Sequence, residues 1–212
     1  MRHFSPLDQL IMQGDHAMRT IFGQPEITER SYPADKLEDT ELSEEQRQHV
    51  AGLMRINHAG EIAAQALYSG QALTAKLDDV RESMNRAALE ENDHLDWTDK
   101  RLHELGSQRS LLAPFWYVGS FVIGAAAGAA GDKWSLGFVA ETEKQVVQHL
   151  DEHLAKLPAD DQRSRAILQQ MKEDEQHHAT VALEHGGREL PWVVRKLMTL
   201  TSKVMTKTAY RL

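Results

Sequence analysis

Two short patterns in the chain have the same chemistry: Glu91-Asn92-Asp93-His94 and Glu175-Gln176-His177-His178 each place a histidine three residues after a glutamate. On an α-helix, residues three apart share a face, with Cβ atoms roughly 5 to 6 Å apart. Each pair can therefore chelate one metal ion. A further glutamate precedes each motif: Glu61 lies 30 positions before Glu91, and Glu143 lies 32 positions before Glu175. With no cysteine in the chain, any metal site uses carboxylates and imidazoles, a donor set that points to iron or manganese before zinc. Carboxylate oxygens can bridge two ions, while an imidazole caps each ion and leaves a position open for dioxygen.

The apolar periodicity decides which carboxylates face inward. Glu61 shares its face with Met54, Ala64 and Tyr68. Glu91 shares one with Met84, Ala87, Ala88 and Leu95, whereas Glu90 shares one with Ser83 and Arg86. Glu143 has Val139, Ala140, Val146, Val147 and Leu150 as helical neighbours, whereas Glu141 has Gly137, Phe138, Lys144, Gln145 and Gln148. Glu175 sits with Leu168, Met171 and Ala179, and Glu173 with Gln169, Gln170 and Gln176. A single Glu-x-x-His is more often a solvated helix face than a ligand pair. Two copies, each with an inward glutamate upstream, favour a dinuclear site of Glu61, Glu91, His94, Glu143, Glu175 and His178. Among the other histidines, His149 reads as a donor to a ligand carboxylate or as an ordinary core or surface residue. His58 reads as a contact of Glu61 or a cap on a neighbouring helix. His177 faces away from His178, and His3, His16, His49, His103, His153 and His185 read as surface residues.

The elements that must position these groups are helices. The chain of 212 residues is rich in helix formers and carries only 6 Pro and 13 Gly, which suits an all-α domain. Four long helices are expected, at about 43–76, 78–105, 133–157 and 160–185. Ser43 starts the first; Asp78 and Asp160 are candidate N-caps; Gly106, Pro158 and Gly186-Gly187 are stops. A short amphipathic helix over 1–20, with Leu7, Leu10, Ile11 and Met18, precedes them within an N-terminal extension of residues 1–40. Leu111 to Gly131 carries no charge and is long enough to span a bilayer, but Pro114 and its five Gly and Ser breakers favour a long crossover, partly buried or resting on a membrane. Two hairpins (43–185) joined by an apolar crossover describe a ferritin-like four-helix bundle in a single domain, 1–212. The segment 190–212 interleaves Trp192, Val193, Leu197, Leu200 and Val204 with Arg195, Lys196, Lys203, Lys207 and Arg211, as does a basic amphipathic helix that either docks on its own core or lies in a membrane interface.

The formal net charge of −8 argues against a nucleic-acid partner, which calls for clustered Lys and Arg. Arg2, Asp8, Asp15 and Arg19 interrupt the N-terminal apolar residues, so no secretory signal is expected and the site should lie on the cytoplasmic side.

The blocks Arg55-Ile56-Asn57-His58-Ala59-Gly60-Glu61, Glu91-Asn92-Asp93-His94, Glu143-Lys144-Gln145 leading to His149, and Asp174-Glu175-Gln176-His177-His178 resemble those of the demethoxyubiquinone hydroxylases of bacterial ubiquinone biosynthesis, over about residues 40–212. The resemblance implies a di-iron monooxygenase, an oxidoreductase that uses dioxygen to hydroxylate the ring of a polyprenylated methoxy-methyl-benzoquinol. It implies two iron ions held by Glu61, Glu91, His94, Glu143, Glu175 and His178, with Glu91 and Glu175 as bridges. A substrate with an isoprenoid tail stays in the bilayer, so the enzyme would be peripheral on the cytoplasmic face of the cell membrane, docked through 111–131 and 190–212, with other ubiquinone-biosynthesis proteins as partners. The alternatives are a ferritin-like protein of iron storage or peroxide consumption, and a membrane-surface scaffold whose carboxylates are helix-face charges.

Overall fold

A computed structural model describes residues 5–28 and 30–212; for residues 6, 7, 9, 10 and 78–85 it describes the backbone alone. Leu7, Leu10, Val80 and Met84, which the periodicity placed on apolar faces, thus have side chains outside the described residues, and so does His3. Seven helices follow in order: α1 (Pro6–Phe22), α2 (Glu44–Thr74), α3 (Asp78–Glu104), α4 (Ala113–Ala129), α5 (Asp132–Lys156), α6 (Gln162–Glu184) and α7 (Trp192–Ala209). No strand occurs among the described residues.

The helix ends follow from local chemistry. Ser43 and Gln46 form a reciprocal capping box at the start of α2, satisfying amide groups that have no partner within the helix. Gly106 and Gly186 take positive φ just past α3 and α6, the conformation that glycine adopts most readily. Two expected caps are displaced by one residue. Leu77, not Asp78, is the N-cap of α3, and Asp132 accepts the amides of Lys76 and Leu77 at 3.0 and 3.1 Å. Asp161, not Asp160, caps α6 by accepting from the Ser164 amide at 3.0 Å. The same carboxylate pairs with the buried Arg101 of α3 at 3.0 Å, so one residue both caps α6 and neutralises a cation.

Helices α2 and α3 form one antiparallel hairpin and α5 and α6 the other. Their facing sides make two apolar layers. Met54, Trp97, Leu150, Leu168 and Met171 build one; Tyr68, Leu136, Val139, Ala140 and Ala182 build the other. Glu61, Glu91, His94, Glu143, Glu175 and His178 fall between the two in every helix.

The apolar crossover is itself helical, contrary to the breaking effect of its glycines. It lies along α2, and a Cβ at Gly124 would collide with the Leu67 carbonyl, one at Gly70 with that of Phe121, and one at Gly128 with the Thr74 hydroxyl. The contact between backbones offsets the propensity cost of about 1 kcal/mol per glycine. Leu111, Phe115, Val118 and Val122 are left exposed on its other side. No helix among the described residues is long and apolar enough to cross a membrane.

Helix α7 packs at its end, where Ala209 meets Ile56 and Ala59 and the Tyr210 carbonyl accepts from Arg55 at 2.9 Å. Trp192, Leu197, Leu200 and Val204 remain exposed. The segment between α1 and α2 crosses the outside of the bundle, held where the Leu37 carbonyl accepts from Arg163 and where Thr40 donates to the Asp160 carbonyl at 2.9 Å.

Candidate metal centre

All six expected ligands converge in the middle of the bundle, each 7% exposed or less. The periodicity chose correctly within each doublet: Glu143 is buried while Glu141 is half-buried and bonds Gln145, and Glu175 is buried while Glu173 is exposed. Glu91 and Glu175 occupy the centre. The Nδ1 of His94 lies 3.2 Å from one oxygen of Glu91 and 3.1 Å from one of Glu175. The Nδ1 of His178 lies 3.3 Å and 3.2 Å from the opposite oxygens of the same two carboxylates. Each central carboxylate thus presents one oxygen to each imidazole. Glu61 joins the His94 side at 3.6 Å, and Glu143 faces Glu175 and Glu91.

The donor atoms fit a cation. One atom each from Glu61, Glu91, His94 and Glu175 lie within 4.8 Å of one another. Three carboxylates converge on the single Nδ1 of His94, which can satisfy one of them by hydrogen bonding. Oε1 of Glu91 and Oε1 of Glu175 are buried without a hydrogen-bond partner. Buried uncompensated charge costs several kcal/mol per group, and a bound cation removes that cost.

The electrostatics report the same strain. Burial, then the charge of Glu91, pushes the Glu61 carboxyl well above the usual carboxylate range; burial, then Glu175 and Glu91, does so for Glu143. Burial raises Glu91 also, but the two imidazoles outweigh it and hold that carboxyl well down. Burial would lower His94, yet the surrounding carboxylates, Glu91 first, raise it well above its ordinary value.

The other nitrogen of each imidazole is fixed across the bundle. The Nε2 of His94 contacts Asp174 at 2.8 Å, and that of His178 contacts Glu90 at 2.6 Å. The residue before each of Glu91 and Glu175 therefore orients the histidine of the opposite hairpin. With Nε2–H donating outward, Nδ1 presents its lone pair inward, as a ligand requires. Sequence reasoning missed both partners: Glu90 was read only as an outward neighbour of Arg86, and Asp174 was given no role.

Arg30, from the segment between α1 and α2, reaches the same region. It donates to Asp93 and Asp174 at 2.6 Å each and stacks over Trp97 at 4.9 Å. Asp93 also accepts the Thr28 amide at 2.7 Å and its hydroxyl at 2.6 Å. Tyr68 donates to Glu143. A Glu-x-Asp-His block followed far off by Asp-Glu signals acidic partners, but nothing in the order of residues pairs them with position 30.

Other histidines depart from the sequence reading. His153 is buried, not exposed, and donates from Nδ1 to Asn57 Oδ1 at 2.8 Å. Its helix face turns toward α2 because α7 and α2 cover that side of α5. His16 and His49 are half-buried and bond Gln65 and the Tyr210 hydroxyl at 3.0 and 2.8 Å. His58 is fully buried and contacts neither Glu61 nor a helix end; burial and Arg109 push it down to about 3. His149 bonds no ligand carboxylate and stacks on His153. His177, His103 and His185 are exposed.

A cavity of about 340 Å³ opens beside the centre between α2, α4, α5 and α7. Its wall is mostly apolar, including Trp116, Phe138, Val146 and Leu197, and Gly60 and Glu61 are part of its lining.

The sequence profile described as "Ubiquinone biosynthesis protein COQ7" matches residues 48–209. The chain is 61% identical over 209 residues to a 3-demethoxyubiquinol 3-hydroxylase of Nitrosococcus oceani, covering 99% of this chain and 98% of that one. It is 57% identical to the protein of the same name from Acinetobacter baumannii over the full length of both, and 56% identical to that of Legionella pneumophila over 99% of each. A buried cluster of four glutamates and two histidines in an all-helical bundle and these full-length similarities agree: the chain belongs to the COQ7 family of ubiquinone-biosynthesis proteins.

Proposed function

We propose that this protein is a di-iron monooxygenase that hydroxylates the ring of demethoxyubiquinol, the reaction for which its relatives are named. The observation that carries the reading is the paired central carboxylates, each with one oxygen toward each imidazole. Glu61, Glu91, His94, Glu143, Glu175 and His178 would hold the two iron ions, with Glu91 and Glu175 at the centre of the set. Bound in that set, an iron pair would supply the redox chemistry that activates dioxygen, with the quinol itself or an external donor supplying two electrons per turnover.

The chain's own residues do the rest. The apolar cavity excludes water and receives a ring and the first part of an apolar tail, with Glu61 in its lining. Asp174 and Glu90 hold the Nε2 side of both imidazoles and so orient Nδ1 toward the site. Exposed apolar side chains of α1, α4 and α7, with Lys196, Lys203 and Lys207 among them, suit a protein that sits on the cytoplasmic face of a membrane and draws its substrate from the bilayer. The 1–212 chain would act as one domain, its first 40 residues included, and other proteins of the pathway are candidate partners. A storage protein has no use for an apolar cavity lined by a ligand.

Two measurements test this reading. Anaerobic reconstitution should give two iron ions per chain, and far fewer would refute the dinuclear site. Expression in a strain blocked at this hydroxylation should restore ubiquinone; continued accumulation of the demethoxy quinone would refute the activity.

A further inference from the structure

Asn57 stands one helical turn before Glu61 and lines the same cavity. Its side chain is 6% exposed. Its Oδ1 is held by His153 Nδ1 at 2.8 Å, while its Nδ2 is buried with no hydrogen-bond partner. A buried donor without a partner costs on the order of 1 to 3 kcal/mol, and such groups in a cavity are explained by what the cavity binds.

We infer that Asn57 is a substrate-orienting residue whose Nδ2 donates to an oxygen of the bound quinol ring. His153 fixes the amide. Because its ring is neutral in its buried setting, with one N–H directed at Oδ1, the amide group is locked with its NH₂ away from His153. Four neighbours make the placement productive. Residues four apart on a helix share a face, so an oxygen held at Asn57 sets the rest of the ring over Gly60 and beside Glu61. A Cβ at Gly60 would meet nothing within 4 Å, so the ring has room there. Trp116 and Phe138 on the cavity wall flank it. A site with a committed donor discriminates strongly against a ring that lacks the matching oxygen, because the donor is then left unpaired.

The inference rests on the cavity being the quinol site, and the test separates the two. Metal-free protein is titrated with a short-tailed methoxy-benzoquinone, following quenching of tryptophan fluorescence, with Trp116→Phe to identify the reporter in the cavity. Saturable quenching is expected for the parent, with binding roughly tenfold weaker in Asn57→Leu, the loss of about one hydrogen bond. His153→Phe, which frees the amide to rotate, should weaken binding by less. In iron-loaded protein the same substitutions should raise KM more than they lower kcat. No saturable quenching of the parent, or none lost in Trp116→Phe, overturns the cavity reading and the inference with it. Saturable quenching of the parent with Asn57→Leu within twofold of it overturns the role of Asn57 alone. Asn57→Ala introduces no new volume and carries the same comparison if Asn57→Leu does not fold.

Discussion

Glu143 and Glu141 differ in one thing that matters, the face of α5 on which they lie. Glu143→Ala is expected to lower iron content below two per chain and abolish hydroxylation, whereas Glu141→Ala, which loses a half-buried bond from Gln145, should keep both; iron analysis and a turnover assay on the two variants decide. Gly60→Leu should place a side chain in the cavity next to Glu61. Replacing a mid-helix glycine removes a conformational cost of roughly 0.5 to 1 kcal/mol, so the variant should melt no lower than the parent and hold its iron, yet lose most of its turnover. The burial of these groups was legible in the sequence because burial on a helix is written in a period of 3.6, and carboxylates on an apolar stripe stand out against it. Glu90, Asp174 and His153 were not legible. Their roles depend on which helix lies opposite, and a periodicity read within one helix holds no information about its neighbour.

At the level of elements, α4 shows the same limit from the other side. Its glycines lower helix propensity, and only the close approach to α2 makes them useful. Gly124→Val should drive a side chain into the Leu67 backbone; overpacking of this kind costs typically 1 to 3 kcal/mol, measurable as a lowered urea midpoint with m unchanged. The four bundle helices were readable to within about two residues at their ends because Ser43, Gly106 and Gly186 carry local capping chemistry. The two shifted caps followed tertiary demands, Asp132 reaching back to the turn before α3 and Asp161 answering Arg101.

For the molecule as a whole, acid should be the weak direction. His58 and His153 are held down to about 3 chiefly by burial, against about 6.5 in an unfolded chain. The unfolded state therefore binds protons that the native state refuses between those values. The stability these two contribute is fully present above about pH 6.5 and is lost as pH falls toward 3, by about a factor of ten in the folding constant per pH unit for each. Urea melts from pH 7 to 4 should show this slope, and His153→Gln should reduce it. The proposed docking on a membrane belongs to the same scale. Cosedimentation with anionic vesicles should fall when Phe115 and Leu197, exposed on α4 and α7, are both changed to Ser, while the melting temperature stays put.

Arg30 ties Asp93 of one hairpin to Asp174 of the other, yet it lies upstream of the 48–209 region that marks the family. During synthesis residue 30 emerges before either of its carboxylate partners, and it can seat only after α6 has been made. Closure of the outer wall around His94 is thus among the last events of maturation. A chain begun at Ser43 would retain the six clustered carboxylates and imidazoles and all four bundle helices, and would be expected to fill with iron and then leak it, since loss of a group that orients a ligand typically costs 10- to 100-fold in metal affinity. Release of iron to a chelator from the shortened and full-length proteins, compared side by side, measures that difference; equal rates would show that the wall closes without its latch.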